Sequence, residues 1–125
     1  MAKRILLIDD EELVVKSVTR ALQREGYEVI ACRSGNEAIE RVKKEPVDLI
    51  VCDVRMPQLN GIETVKQIRA LYKSKDKNTA PEILMTGYAD EVATKEIEAL
   101  EVADYLYKPF DLRGFLAVVR KSLKA

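Results

Sequence analysis

Short apolar runs alternate with longer amphipathic ones along the whole chain. Residues 4–8, 28–32, 49–52, 83–86 and 105–107 are short, apolar or β-branched and bounded by polar residues, a pattern that predicts five strands. The stretches between them carry helical spacing. Within 11–25, Val14, Val18, Ala21 and Leu22 recur at i, i+4, i+7 and i+8, which puts them on one face. Ser34-Gly35-Asn36-Glu37 has the form of a capping box. The helix it opens should stop before Pro46, because the residue preceding a proline avoids helical geometry. A third helix is expected at 62–72 and a fourth at 90–100. The fifth should follow an Asp111 cap, with Leu112, Phe115, Leu116 and Val119 facing inward. The polar stretch 73–80 reads as a surface loop.

Five strands alternating with five helices imply an α/β fold. Parallel neighbours are joined by right-handed helical crossovers, so the sheet is parallel and covered on both faces. The near-continuous apolar runs 5–8 and 49–52 suit strands buried on both sides. A chain of 125 residues fits one domain, taken here as 1–125.

Charge narrows the function. Lys plus Arg and Asp plus Glu each number 21, so the formal net charge is zero. That argues against direct nucleic-acid binding, which draws on a basic excess to meet phosphates. Only four apolar residues follow Met-Ala-Lys-Arg before two aspartates. No apolar run approaches the ~18 residues of a membrane span. Neither a signal peptide nor a membrane association is therefore expected. Cys32 and Cys52 sit in apolar runs without a CxxC pair, and the chain has no histidine. Two reduced, buried thiols in a cytoplasmic protein are the simplest reading, and a zinc site is excluded.

In open α/β sheets ligands bind beyond the carboxyl ends of the strands. The first strand ends in Asp9-Asp10, followed by Glu11-Glu12. The third ends in Asp53, the fourth in Thr86, and the fifth runs into Lys108-Pro109. Each element alone has a plainer reading: acids that cap a helix, a turn aspartate, a strand-end threonine, a loop lysine. Their joint arrival at one edge favours chemistry. Close carboxylates resist full ionisation unless a cation intervenes, and carboxylate oxygens suit Mg²⁺. A carboxylate can attack phosphorus, while an ammonium and a hydroxyl hold the charge on the other oxygens.

Ile8-Asp9-Asp10-Glu11, Asp53-Val54-Arg55-Met56-Pro57 with Gly61, Met85-Thr86-Gly87 and Tyr105-Leu106-Tyr107-Lys108-Pro109-Phe110 resemble the signature blocks of response-regulator receiver domains of two-component signalling. The likeness covers essentially the whole chain. It implies a flavodoxin-like doubly wound (βα)₅ fold with a five-stranded parallel sheet of order 2-1-3-4-5. It also implies phosphoryl transfer onto Asp53 from a sensor histidine kinase or a phosphotransfer protein. By position, Asp10 would bind Mg²⁺ directly, Asp9 through a water, and Arg55 through its backbone carbonyl, with Asp53 completing the set. Lys108 would pair with the phosphoryl group and Thr86 would bond one of its oxygens. A cis bond would precede Pro109, and Gly61 would relieve the turn into the third helix. The resemblance further implies a switch in which Thr86 moves and Tyr105 swings inward. The surface remodelled would be the fourth helix, fifth strand and fifth helix, the same surface through which a homodimer, an output domain or an effector would be reached.

Two departures stand out. Glu101 occupies a place where many receivers carry glycine, so a changed loop into the fifth strand is expected. Arg55 and Tyr88 are large residues near Asp53, which implies slow loss of the phosphoryl group. Two rivals share parts of the pattern. One is a receiver fold that acts without phosphorylation. The other is a phosphoaspartyl hydrolase, although such enzymes place a second aspartate where Arg55 stands. A flavin-binding relative fits less well, since no Ser/Thr/Gly-rich loop follows the first strand. The same residues suit a free-standing regulator or the receiver part of a longer chain.

Overall fold

Polar ends bracket each apolar strand and fix where the sheet begins and stops. The computed structural model describes residues 2–75, 79–87 and 91–124, with side chains in the last span from residue 94 onward. The elements run β1 (Arg4–Ile8), α1 (Glu12–Arg24), β2 (Glu28–Cys32), α2 (Gly35–Lys44), β3 (Leu49–Asp53), α3 (Gly61–Ser74), β4 (Glu82–Gly87), α4 (Glu91–Leu100), β5 (Asp104–Lys108) and α5 (Leu112–Lys124). All four strand pairings are parallel, in the order β2-β1-β3-β4-β5. The parallel, two-sided sheet is the one expected from the alternation of strands and helices, and its order is the flavodoxin-like one that the resemblance to receiver domains implies.

Because side chains alternate across a strand, each strand feeds two cores. Ile5 and Leu7 of β1, with Leu49, Val51, Ile83 and Met85, pack beneath α1 and α5 against Val18, Leu22, Phe115 and Val119. Leu6 and Ile8, with Ile50, Cys52 and Leu84, pack on the other face against Ala38 and Ile39 of α2, Val65 and Ile68 of α3, and Ile97 of α4. Burial of both faces explains why these strands lack polar alternation.

Local chemistry sets the helix ends. Ser34 accepts a hydrogen bond from the Glu37 backbone N–H, while Glu37 reaches back to the Arg33 N–H at 2.7 Å. The α2 helix stops at Lys44, and Glu45, just before Pro46, is extended. Asn60 caps α3, and Asp111 accepts from the Gly114 N–H at 2.7 Å to open α5.

Several expectations need correction. Leu112 is 39% exposed rather than inward-facing, because it borders an open hollow with Glu11, Val14 and Phe110 instead of packed core. Lys73 and Ser74 complete α3, and Ala80 is buried in the core, so only part of 73–80 fits a surface loop. Glu101 adopts the left-handed conformation (φ 55°) that glycine would favour there, so the cap is kept in spite of its side chain. Gln58 in the β3–α3 loop also adopts a positive φ (67°). At Gly61 the turn into α3 passes close to the preceding strand, and a Cβ there would collide with the backbone carbonyl of Asp53. The expected helix start at Asp90 lies outside the described residues. Among the described residues, no helix is long and apolar enough to cross a membrane.

Candidate functional site

Parallel pairing carries the carboxyl ends of β1, β3, β4 and β5 to one edge of the sheet. Asp9 and Asp10 follow β1, Asp53 ends β3, Thr86 lies near the end of β4, and Lys108 ends β5. Asp9 is fully buried, Asp53 is 4% exposed, and Asp10 is half-buried. One oxygen from each of these carboxylates lies within 4.8 Å of the others. Such an all-oxygen, anionic donor set fits a hard divalent cation of the Mg²⁺ type.

Lys108 crosses the fold to meet them. Its ammonium donates to Asp9 Oδ2 at 2.9 Å and to Glu11 Oε1 at 3.0 Å, and it lies 3.4 Å from Asp53 Oδ2. The peptide bond that follows it, to Pro109, is cis. Burial pulls the Lys108 ammonium down, but hydrogen bonds to Asp9 and Glu11 and the charge of Asp53 outweigh it and hold the group well above the usual lysine range. Asp53 moves in the opposite sense to a salt-bridged acid. Burial, then the charge of Asp9, pushes its carboxyl up to about 6, and Lys108 only moderates the rise. Three carboxylates, those of Asp9, Glu11 and Asp53, share one ammonium, so the site is short of positive charge.

The hydroxyl of Thr86 is buried and has no hydrogen-bond partner among the described residues. Asp53 faces Met85 in register across β3 and β4, so Thr86 is one residue further toward the site edge. A buried hydroxyl without a partner is costly, and here it borders a place where an acceptor could sit. Arg55 is exposed and lines a hollow of about 270 Å³ with Val54, Gln58, Asn60 and Glu96. Its carbonyl is not among the grouped oxygens, which are side-chain atoms. Tyr88 lies outside the described residues.

On β5, Tyr105 is half-buried and meets Tyr107 edge-to-face at 5.8 Å. The Tyr107 hydroxyl reaches Thr94 Oγ1 of α4 at 3.3 Å. These contacts join β5 to α4 on the side of the sheet away from α1. Beside Lys108, a cavity of about 430 Å³ is lined by Glu11, Val14, Pro109, Phe110 and Leu112.

Two contributors were not anticipated. Glu11 reads from sequence as a helix-capping acid, but it makes no side-chain cap and binds Lys108 instead. Arg33, just past β2, donates to the Asp10 carbonyl at 2.9 Å and pins the loop that carries the acidic pair. Neither contact leaves a local signal, because both join segments distant in sequence.

Residues 5–120 match the family model of the response regulator receiver domain. The alkaline phosphatase synthesis transcriptional regulatory protein PhoP of Bacillus subtilis (strain 168) is 38% identical over 126 residues, an alignment covering 99% of this chain and 50% of PhoP. The transcriptional regulatory protein CrdR of Helicobacter pylori is 36% identical over 121 residues, covering 97% of this chain and 55% of CrdR. The chain thus spans about half the length of these curated relatives. Among solved structures, the chemotaxis protein CheY4 of Vibrio cholerae superposes with a TM-score of 0.88 at 29% identity, covering 98% of this chain and 100% of CheY4. A CheY-like receiver domain from Methanospirillum hungatei gives 0.89 at 26% identity, covering 99% and 95%. The chain belongs to the response-regulator receiver family of two-component signalling proteins.

Proposed function

We propose that residues 1–125 form a receiver that accepts a phosphoryl group on Asp53 and uses it to switch the α4-β5-α5 surface. One observation carries this reading: the Asp9, Asp10 and Asp53 oxygens gather within 4.8 Å while the Lys108 ammonium stands 3.4 Å from Asp53. In the transfer, an Asp53 carboxylate oxygen forms a bond to phosphorus as the P–N bond of a phosphohistidine donor breaks. Lys108 pairs with a phosphoryl oxygen. The Thr86 hydroxyl donates to another, gaining an acceptor that it lacks among the described residues. When bound by Asp9, Asp10, Asp53 and the Arg55 carbonyl, Mg²⁺ would supply the positive charge that this edge is short of.

The response is a population shift. Movement of Thr86 toward the phosphoryl group opens space, and Tyr105 moves in from its half-buried position beside Tyr107. The chain modifies itself rather than turning over a substrate. Its donor is a sensor histidine kinase or a phosphotransfer protein in the cytoplasm. Its output passes through α4-β5-α5 to a partner, a second copy or an attached effector domain, as the transcriptional regulatory relatives suggest.

Intact-mass measurement after incubation with acetyl phosphate tests the reading. Wild type should gain one phosphoryl mass with Mg²⁺ and none with chelator, and Asp53→Asn should gain none. An Asp53→Asn protein modified as fully as wild type would refute it.

A further inference from the structure

Glu11 stands outside the group of Asp9, Asp10 and Asp53 oxygens, yet it holds the same ammonium. The two shortest contacts of Lys108 are to Asp9 at 2.9 Å and Glu11 at 3.0 Å, with Asp53 further off at 3.4 Å. In the unmodified protein, then, Lys108 leans toward carboxylates other than the one that takes the phosphoryl group. The backbone sets Glu11 up for this. Its N–H donates to Asp9 Oδ1 at 2.9 Å, and it occupies the N-cap of α1 without spending its side chain on the helix.

Resting on the assignment of Asp53 as phosphoacceptor, we propose that Glu11 is a positioning residue that holds Lys108 back from the phosphoryl site and thereby slows phosphoryl uptake. Asp9 loses part of its grip on Lys108 when its carboxylate is shared with a cation. Glu11 lies outside that group and keeps its hold. The ammonium must then leave Glu11, or divide itself between Glu11 and the incoming group, before it can meet a phosphoryl oxygen. The Glu11 side chain is 60% exposed, so the restraint is weak and sensitive to salt. A weak restraint suits a brake better than a lock.

Glu11→Gln keeps the shape and removes the charge. Glu11→Asp keeps the charge but shortens the reach to Lys108. With saturating Mg²⁺ at low ionic strength, phosphorylation rates of the full chain are measured with acetyl phosphate and with phosphoramidate, which differ in negative charge. Glu11→Gln should be faster by about two- to fivefold with both donors, and the gain should shrink as salt is added. Glu11→Asp should behave like Glu11→Gln. In the metal-free protein, the Lys108 Cε–Hε NMR signals should shift in both variants. Unchanged or slower uptake by Glu11→Gln overturns the proposal. So does a gain seen with acetyl phosphate alone while Glu11→Asp matches wild type, because Glu11 would then act by repelling the donor. Unshifted Lys108 signals also overturn it. Wild type that takes no phosphoryl group would remove the Asp53 reading as well, whereas normal uptake with no effect of Glu11 removes this inference alone.

Discussion

The Thr86 hydroxyl lies buried without a hydrogen-bond partner among the described residues, one position beyond the residue that faces Asp53 across β3 and β4. An apolar isostere should therefore cost the unmodified fold nothing. Thr86→Val is expected to be neutral or more stable by up to about 1 kcal/mol in urea unfolding, since a polar group without a partner is a penalty when buried. The same variant should still take a phosphoryl group on Asp53 but lose the response of β5 and α4, read by hydrogen exchange. A loss of about 2 kcal/mol or more would mean that the hydroxyl is already engaged in the unmodified protein.

Asp53 makes the metal-free fold sensitive to pH. Its folded value, about 6, is above the ordinary 3.8, so the folded state binds this proton more tightly than the unfolded chain does. The contribution is fully present below about pH 4 and is lost as pH rises through 6. Asp53→Asn lacks this loss. In chelator, the stability advantage of Asp53→Asn over wild type should grow by about 2–3 kcal/mol between pH 4 and 7.5. Added Mg²⁺ should narrow it, because a ligand of the folded wild type stabilises that state. Urea titrations across this range provide the check, and a flat difference contradicts the burial argument.

At the other end of the sheet, Arg69 Nε and Nη2 each donate at 2.7 Å to a different oxygen of Glu82, whose side chain is 3% exposed. Arg69→Met leaves that carboxylate buried without its cation. A loss of about 3 kcal/mol is expected by chemical unfolding, with most of it recovered when Glu82→Leu is added. Phosphoryl uptake by the folded fraction should match wild type, because the pair lies far from the acidic edge.

Arg55 borders the hollow beside the β3–α3 loop and is exposed, a position from which it can hinder water approaching a phosphoryl group on Asp53. Arg55→Ala should shorten the phosphoryl lifetime severalfold, followed by decay of the added mass after the donor is removed. An unchanged or longer lifetime would leave the arginine without that role.

The sequence made the strands and the acidic edge legible for one physical reason. Apolar runs must lie in the sheet, and the polar residue that ends each run must lie at its rim. Strands β1 and β2 begin and end where the pattern says. The others run on into Asp53, Glu82, Gly87, Asp104 and Lys108, since backbone pairing continues past the last apolar side chain. Asp9, Asp10, Asp53, Thr86 and Lys108 could be placed at one rim from sequence because each ends, nearly ends or follows a strand. Glu11 with Lys108, Arg33 with Asp10, and Arg69 with Glu82 could not be paired from sequence, because these pairs exist only once the chain is folded. Leu112 shows the limit of periodicity. It shares the helical stripe of Phe115 and Val119, but at that turn the stripe faces an open hollow rather than packed core. Glu101 shows the converse, since a left-handed cap can be imposed on a residue that does not favour it.

Borohydride reduction of the modified protein, followed by peptide mapping, tests the central claim most directly, because an acyl phosphate on aspartate is reduced to homoserine. Homoserine at position 53 and nowhere else is the result that the geometry requires. Homoserine at 9 or 10, or a phosphoryl group that borohydride leaves untouched, would contradict it.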